Sequence, residues 1–345
     1  MTKYSYMASL YVFGWPSHLG GADTRLVHTL KIWSKFMDVT VIPNGNISKN
    51  EWTTYLDSLG CKYKTIGELP TKLDGIAISM CNDHFFNRKI AHMAKNAGLR
   101  VIWSSEMMWH HKGELDAVKS GVVDTVLYTS DFQKNTLKPN YDNCGICLKE
   151  YVVDNFIDFH DFPLVERPNS TSHLNIGRIS RPTADKYPEN FPLFYKHLGL
   201  NHPHFTVMAW SNALREKYSW FDFDHNWTLL EPNAITVNQL LAQIDIFVYP
   251  LGHTFKESWG RSTAEAMLTG CPVVVPYGHH FVNFVKQGVT GFMYKTYEDC
   301  RNICKALEAN PLWRKRIGLA GRNELIEKTF NVNVHTDKWK EVFNV

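Results

Sequence analysis

The 345-residue chain carries 37 Lys and Arg against 34 Asp and Glu, a formal net charge of +3, with 44% hydrophobic and 21% charged residues. This is the composition of a globular protein: it excludes a disordered or collagen-like chain and creates no electrostatic demand for an acidic partner. No run reaches the roughly 18 consecutive apolar residues of a membrane span. The N-terminal run at 4–13 is interrupted by Ser5 and Ser9 and lacks the basic flank and cleavage site of a signal peptide, so a cytoplasmic location is expected.

The length exceeds one ordinary core and predicts two domains. Seven cysteines, an odd number scattered through the chain, make no disulfide framework. Cys144 and Cys147 form a lone CxxC and read as loop cysteines rather than a zinc or redox pair.

Apolar runs at 5–13, 39–42, 63–66, 75–80, 100–103 and 125–128 alternate with helical patterns, which predicts an open parallel sheet covered on both faces. Ligands of such sheets bind at the carboxyl ends of the strands. After the first strand, Gly20 and Gly21 lead into a helix over 24–34. Paired glycines let a ligand approach the backbone, and the helix N-terminus offers N–H groups to an anion; a plain tight turn is the equal alternative. Residues 104–111, SSEMMWHH, follow a strand directly, and His110 and His111 read equally as site residues or as loop histidines. Ser130 reads as a helix cap.

Residues 151–158 read as a short strand entering a polar turn, and 166–172, ERPNSTS, has linker composition. A second βα series opens at 173–177. Its first strand ends in Gly177-Arg178, with Arg181 and Lys186 following. An arginine fork and a lysine point charge there suit a diphosphate, and a solvated basic loop is the alternative. Asp222-Phe223-Asp224 spells a metal-binding Asp-x-Asp but has no supporting carboxylate cluster and reads as a loop. Further strands are expected at 205–209, 227–230 and 244–249.

The stretch 249–292 then reads as strand end, polar loop, and a helix with Ala264, Met267 and Leu268 at helical spacing. A second apolar run at 271–275 makes that helix a crossover between buried parallel strands. Glu257 and Glu265 flank the turn, where a ligand on the helix N-terminus would meet both. Helical patterns at 297–307, 312–329 and 334–343 close the chain.

Taken together, the glycine loop, Gly177-Arg178 with Lys186, Glu257-Ser258-Trp259-Gly260, Glu265-Ala266-Met267, residues 270–274 and 288–292, and the hinge-like 153–158 resemble the retaining GT-B glycosyltransferases of family 4, the glycogen-synthase-like group. The resemblance implies an α/β fold of two Rossmann-like domains facing each other across a cleft. These would be an acceptor domain at 1–165, a linker at 166–172, a nucleotide-sugar domain at 173–330 and a C-terminal helix at 331–345 returning to the first domain.

It also implies a retaining, metal-independent transfer of sugar from a nucleotide-diphosphate sugar, a UDP-sugar foremost, to a hydroxyl by front-face attack. In that scheme Glu257 holds donor-sugar hydroxyls and Glu265 the ribose. Arg178 and Lys186 neutralise the diphosphate, Arg181 being able to replace one of them, and His110 lies near the reacting sugar. Gly20, Gly21, Ser258, Trp259 and Gly260 complete the donor contacts, and no fixed metal is expected.

The acceptor is a saccharide or lipid-linked glycan. The alternative is hydroxymethylated bases of phage DNA, flipped from the stack, with the enzyme in the host cytoplasm. Against a strong nucleic-acid footprint, residues 1–150 hold 17 Lys and Arg and 14 Asp and Glu. A non-catalytic nucleotide-sugar or nucleic-acid binding protein is the alternative of another class. Tyr277 to Asn283 departs from the family pattern and leaves the choice of sugar open.

Overall fold

The computed structural model describes residues 7–18, 20–80 and 82–345. Positions 5 and 6 of the expected first strand, Leu19 of the glycine turn and Cys81 lie outside the described residues. The chain divides into two compact units, Met1–Ile157 with Asn331–Val345, and Asp158–Phe330.

The first unit is built on strands β1 (Ser9–Phe13), β2 (Asp38–Ile42), β3 (Lys62–Tyr63), β4 (Ile76–Met80), β5 (Arg100–Ser105), β6 (Thr125–Tyr128) and β7 (Lys149–Val152), in the order β3-β2-β1-β4-β5-β6-β7. Every pairing is parallel. Buried on both faces, the central strands read as the continuous apolar runs that parallel sheets require. The strand order reverses between β1 and β4, so the carboxyl ends of these two strands flank a switch point.

The C-terminal helix Val332–Phe343 packs on this unit. Trp339 meets Trp33 at 4.8 Å, and the Arg100 Nη2 donates to the terminal carbonyls of Val342 and Phe343 at 3.0 and 2.8 Å, capping a negative helix end with a cation.

The second unit repeats the plan with β8 (Asn175–Ile179), β9 (His204–Met208), β10 (Trp227–Leu230), β11 (Ile246–Val248), β12 (Val273–Pro276) and β13 (Phe292–Tyr294), all parallel, in the order β10-β9-β8-β11-β12-β13. Its switch point lies between β8 and β11. The expected crossover helix is Arg261–Leu268, joining β11 to β12.

Several local expectations shift. Residues 166–172 are not a free linker: the units divide after Ile157, and this segment is tied into the second unit. Arg167 donates to the carbonyls of Ile244, Leu241 and Thr269 at 2.7–2.9 Å, and Arg314 to those of Pro168 and Ser170 at 3.1 and 2.8 Å. A Pro/Asn/Ser composition describes a polar surface, whereas two arginine forks on helix-end and loop carbonyls make it part of the domain. The short strand expected to open the 151–158 stretch is Lys149–Val152, beginning two residues earlier, and that over 63–66 shrinks to Lys62–Tyr63 before a one-turn helix at Ile66–Glu68. Among the described residues no helix is long and apolar enough to cross a membrane.

Candidate active site

In the second unit, β8 and β11 deliver their following loops to one edge. Lys186, eight residues after Arg178, and Glu257, in the loop after β11, meet there: Lys186 Nζ lies 2.9 Å from Glu257 Oε2, and both are nearly buried. The Tyr249 hydroxyl completes a triangle, 3.2 Å from Glu257 Oε2 and 3.3 Å from Lys186 Nζ. Burial pulls the Lys186 ammonium down, but Glu257 and Tyr249 more than offset it and hold it above its ordinary value. Lys186 thus stays charged in a low-dielectric setting with one of its three N–H donors outside these contacts.

Glu257 is fixed from a second side, because its backbone N–H donates to His279 Nδ1 at 3.2 Å. That bond requires a neutral ring, and burial lowers the basicity of His279. His279 adopts a left-handed φ of 53°, and the preceding Gly278 has φ 94°. The Tyr277 to Asn283 segment, which departs from the pattern of the resembled family, therefore contacts the backbone of the loop that carries Glu257. Tyr277 itself is exposed, with Lys295 over its ring at 4.6 Å.

One turn into the helix Arg261–Leu268, Glu265 Oε1 accepts from Arg261 Nε at 2.8 Å. Burial raises the Glu265 carboxyl and the arginine opposes that rise. The helix starts at Gly260, φ 93°, where a Cβ would fall 2.4 Å from the Phe281 ring. Only glycine fits that close approach. Among the described residues, Glu257 Oε1 and Glu265 Oε2 have no protein hydrogen-bond partner, although both side chains are more than nine-tenths or nearly nine-tenths buried.

Arg178 has a different place from the one expected. On β8 its side chain turns inward and is fully buried, sandwiched between the Tyr187 ring at 3.9 Å and the Tyr249 ring at 4.5 Å. Its N–H groups donate to the Pro250 carbonyl, to Ser180 Oγ at 3.2 Å and to the Lys186 carbonyl at 3.5 Å. The guanidinium ties the two site loops together, and the cations at the edge are Lys186 and the half-buried Arg181. Trp259, expected among the donor contacts, is also inside: its indole stacks on His280 and Phe284 at 5.8 and 5.5 Å and anchors the loop that carries Glu257 and Ser258.

In the first unit, Gly20 is the N-cap of the helix Gly21–Trp33, with φ 86°. A Cβ on Gly20 or Gly21 would meet nothing within 4 Å, so the backbone there faces open space. His110 is held by Glu114. Its Nδ1 lies 3.0 Å from Glu114 Oε1, and the fully buried carboxylate also accepts the Tyr141 hydroxyl and, at 2.8 Å, the His111 N–H. Among the described residues, His110 Nε2 is buried and has no hydrogen-bond partner. Burial lowers the basicity of His111 against the pull of Glu114 and Asp83.

Nearby, Arg25 and Glu106 form a buried pair at 2.5 Å, with Arg25 also donating to the Val153 carbonyl at 2.7 Å. Burial, with Glu106 adding to it, pushes the Asp23 carboxyl up to about 6. Ser130 caps its helix as expected, its Oγ accepting the Gln133 N–H at 3.0 Å. The Asp222 to Asp224 stretch is loop that leads into a turn, in which Asp224 accepts the Asn226 N–H at 2.9 Å.

Sequence reasoning missed Tyr249, Arg261, His279 and the Arg25–Glu106 pair. Arg261 had a signal, an i,i+4 partner for Glu265 on one helix face. The others meet their partners only through sheet order.

Residues 176–309 match the sequence model of the family glycosyl transferases group 1, so this segment of the second unit is a glycosyltransferase domain. No curated protein matches the chain. Among solved structures, the chain is similar to Anabaena HepE in complex with UDP and glucose, with TM-score 0.73, 14% identity, and 98% of this chain and 99% of that one covered. It is similar to TarM (TM-score 0.77, 11% identity, 98% and 99% covered) and to sucrose-phosphate synthase from Thermosynechococcus elongatus (0.68, 13%, 98% and 98%). These likenesses establish the fold as GT-B along nearly the whole chain.

Proposed function

We propose that the chain is a retaining glycosyltransferase that moves a sugar from a nucleotide-diphosphate sugar, a UDP-sugar, to a hydroxyl of an acceptor. One observation carries the reading. Among the described residues, two largely buried carboxylates, Glu257 and Glu265, each keep one oxygen without a protein partner at the switch point of the second sheet, with a charged Lys186 beside Glu257. Such oxygens accept the paired O–H groups of a sugar and a ribose. The group 1 match over 176–309 and the UDP seen in HepE agree with a donor of this class.

In this reading Glu257 holds the hydroxyls of the donor sugar and Glu265 those of the ribose. Lys186 and Arg181 take the diphosphate, with N–H groups at the start of the helix Arg261–Leu268 and Ser258 assisting. Charge grows on the diphosphate as the sugar leaves, and fixed cations in a dry setting stabilise it there. Glu257 Oε2 is already bound to Lys186 and Tyr249, so the residue serves as a binding and positioning group rather than a base. The leaving diphosphate oxygen receives the acceptor's proton, front-face, without a fixed metal. Arg178 and Trp259 hold the loops that carry these groups.

The test is a thermal-shift series with UDP and UDP-sugars, followed by transfer assays with mass detection of the product. A UDP-sugar that raises the melting temperature of the native chain but not of Glu265→Ala, together with loss of transfer in Glu257→Ala, is the expected result. No response to any nucleotide or nucleotide sugar would overturn it.

A further inference from the structure

The loop after β5 in the first unit is pinned at both ends by buried side chains. Gln133 Nε2 donates to the Ser105 and Met107 carbonyls at 3.0 and 2.7 Å, and Glu114 takes the His111 N–H and His110 Nδ1 at 2.8 and 3.0 Å. Gln133 and Glu114 are both fully buried. Between these clamps the loop presents Trp109, 51% exposed.

The indole is braced from beneath. It rests on the His111 ring at 4.7 Å, His111 meets Trp103 edge-on at 5.4 Å, and the fully buried Trp103 packs on Phe86 at 4.6 Å. A scattered exposed apolar side chain needs no explanation. One held by two buried clamps and a ladder of rings is preorganised, and a rigid apolar face is what a ligand surface requires.

The surroundings select the ligand. Asp83, which follows the neighbouring strand β4, has a largely exposed carboxylate and acts electrostatically on His111; Lys112 is exposed two residues after His110. A flat, rigidly held and exposed indole face matches a pyranose, which has a face of C–H groups and a rim of hydroxyls that can stay solvated. A nucleobase would stack equally well, but nucleic acid requires cations for its phosphates, and residues 1–150 hold 17 Lys and Arg against 14 Asp and Glu.

Resting on the glycosyltransferase reading, we infer that Trp109 is the stacking platform for a pyranose ring of a saccharide acceptor. The experiment is saturation-transfer NMR on the full chain with methyl glycosides of glucose, galactose, mannose and N-acetylglucosamine and their disaccharides, read for native protein, Trp109→Ala and Trp109→Phe.

Saturation at ring C–H protons of at least one sugar is expected, with affinity falling about tenfold in Trp109→Ala and largely kept in Trp109→Phe. The melting shift produced by UDP stays the same in all three proteins. The inference is overturned if no sugar binds or if binding ignores Trp109→Ala. It is equally overturned if a duplex oligonucleotide, and no sugar, shows salt-sensitive binding that depends on Trp109. Absence of any UDP shift would count against the glycosyltransferase reading, while Trp109-dependent sugar binding would still stand as measured.

Discussion

The two units place buried glutamates at the carboxyl edges of similar sheets and use them in opposite ways. In the first unit Glu114 is satisfied on both oxygens by Tyr141, His110 and the His111 backbone, and Glu106 is paired with Arg25. In the second, Glu257 and Glu265 are satisfied on one oxygen each. A carboxylate whose lone pairs are all answered shapes a loop, and one left half-answered is ready for a ligand. Burial alone does not separate Glu114 from Glu257 and Glu265, since all three are at most 8% exposed; whether both oxygens are answered does.

The sharpest way to break this contrast is to exchange a half-answered carboxylate. Glu257→Gln keeps the shape but loses the charge beside Lys186, and transfer is expected to fall by about 10²–10³ with circular dichroism unchanged. Near-native kcat would remove Glu257 from the donor site.

Glu114→Ala should do the reverse. Leaving the Tyr141 hydroxyl and His111 N–H unanswered in the interior costs about 3 kcal/mol in urea unfolding, and UDP binding should be preserved. Arg178→Ala, at a residue that the family resemblance placed on the diphosphate, should cost about 3 kcal/mol or more in stability, because it empties a sandwich between two tyrosines and frees buried carbonyls.

Two smaller effects depend on pH. Asp23 has a carboxyl raised from 3.8 to about 6, so its contribution to stability is whole below about pH 4 and is lost as pH rises through about 6. Discounted for partial exposure, Asp23→Asn should stabilise the protein by about 1 kcal/mol at pH 8 and by less at pH 5, as read by urea midpoints. Equal shifts at both pH values would sink the assignment.

His279 is held below its usual basicity, so its bond from the Glu257 N–H is present above the ordinary histidine value. It is lost as pH falls through the lowered one. Glu257 and Lys256 are the charged groups that act on its ring. His279→Gln should flatten the acid limb of a kcat profile, with KM for the donor raised only a few-fold.

How much of this was legible beforehand follows from the same contrast. Apolar runs of strand length alternating with helical periods specify parallel α/β units whatever the partners, because only that arrangement buries strands on both faces. The glycines at 20, 21 and 260, the two glutamates eight residues apart and Lys186 could be picked out as edge residues by position along the chain. Arg178 and Trp259 were placed at the right edge but not on the right side of the surface. Composition cannot tell a fork that grips a ligand from one that grips Pro250, nor an indole that meets a nucleotide from one stacked on His280 and Phe284.

The sequence by itself therefore determined the layer architecture, the alternation of strands with crossover helices and the carboxylates near one turn. Which oxygen each carboxylate keeps free was decided by the tertiary structure alone. Setting β8 beside β11 brings Lys186, Tyr249 and Glu257 together across 63–71 residues of chain, and hydrogen bonds over such separations leave no periodic trace along it.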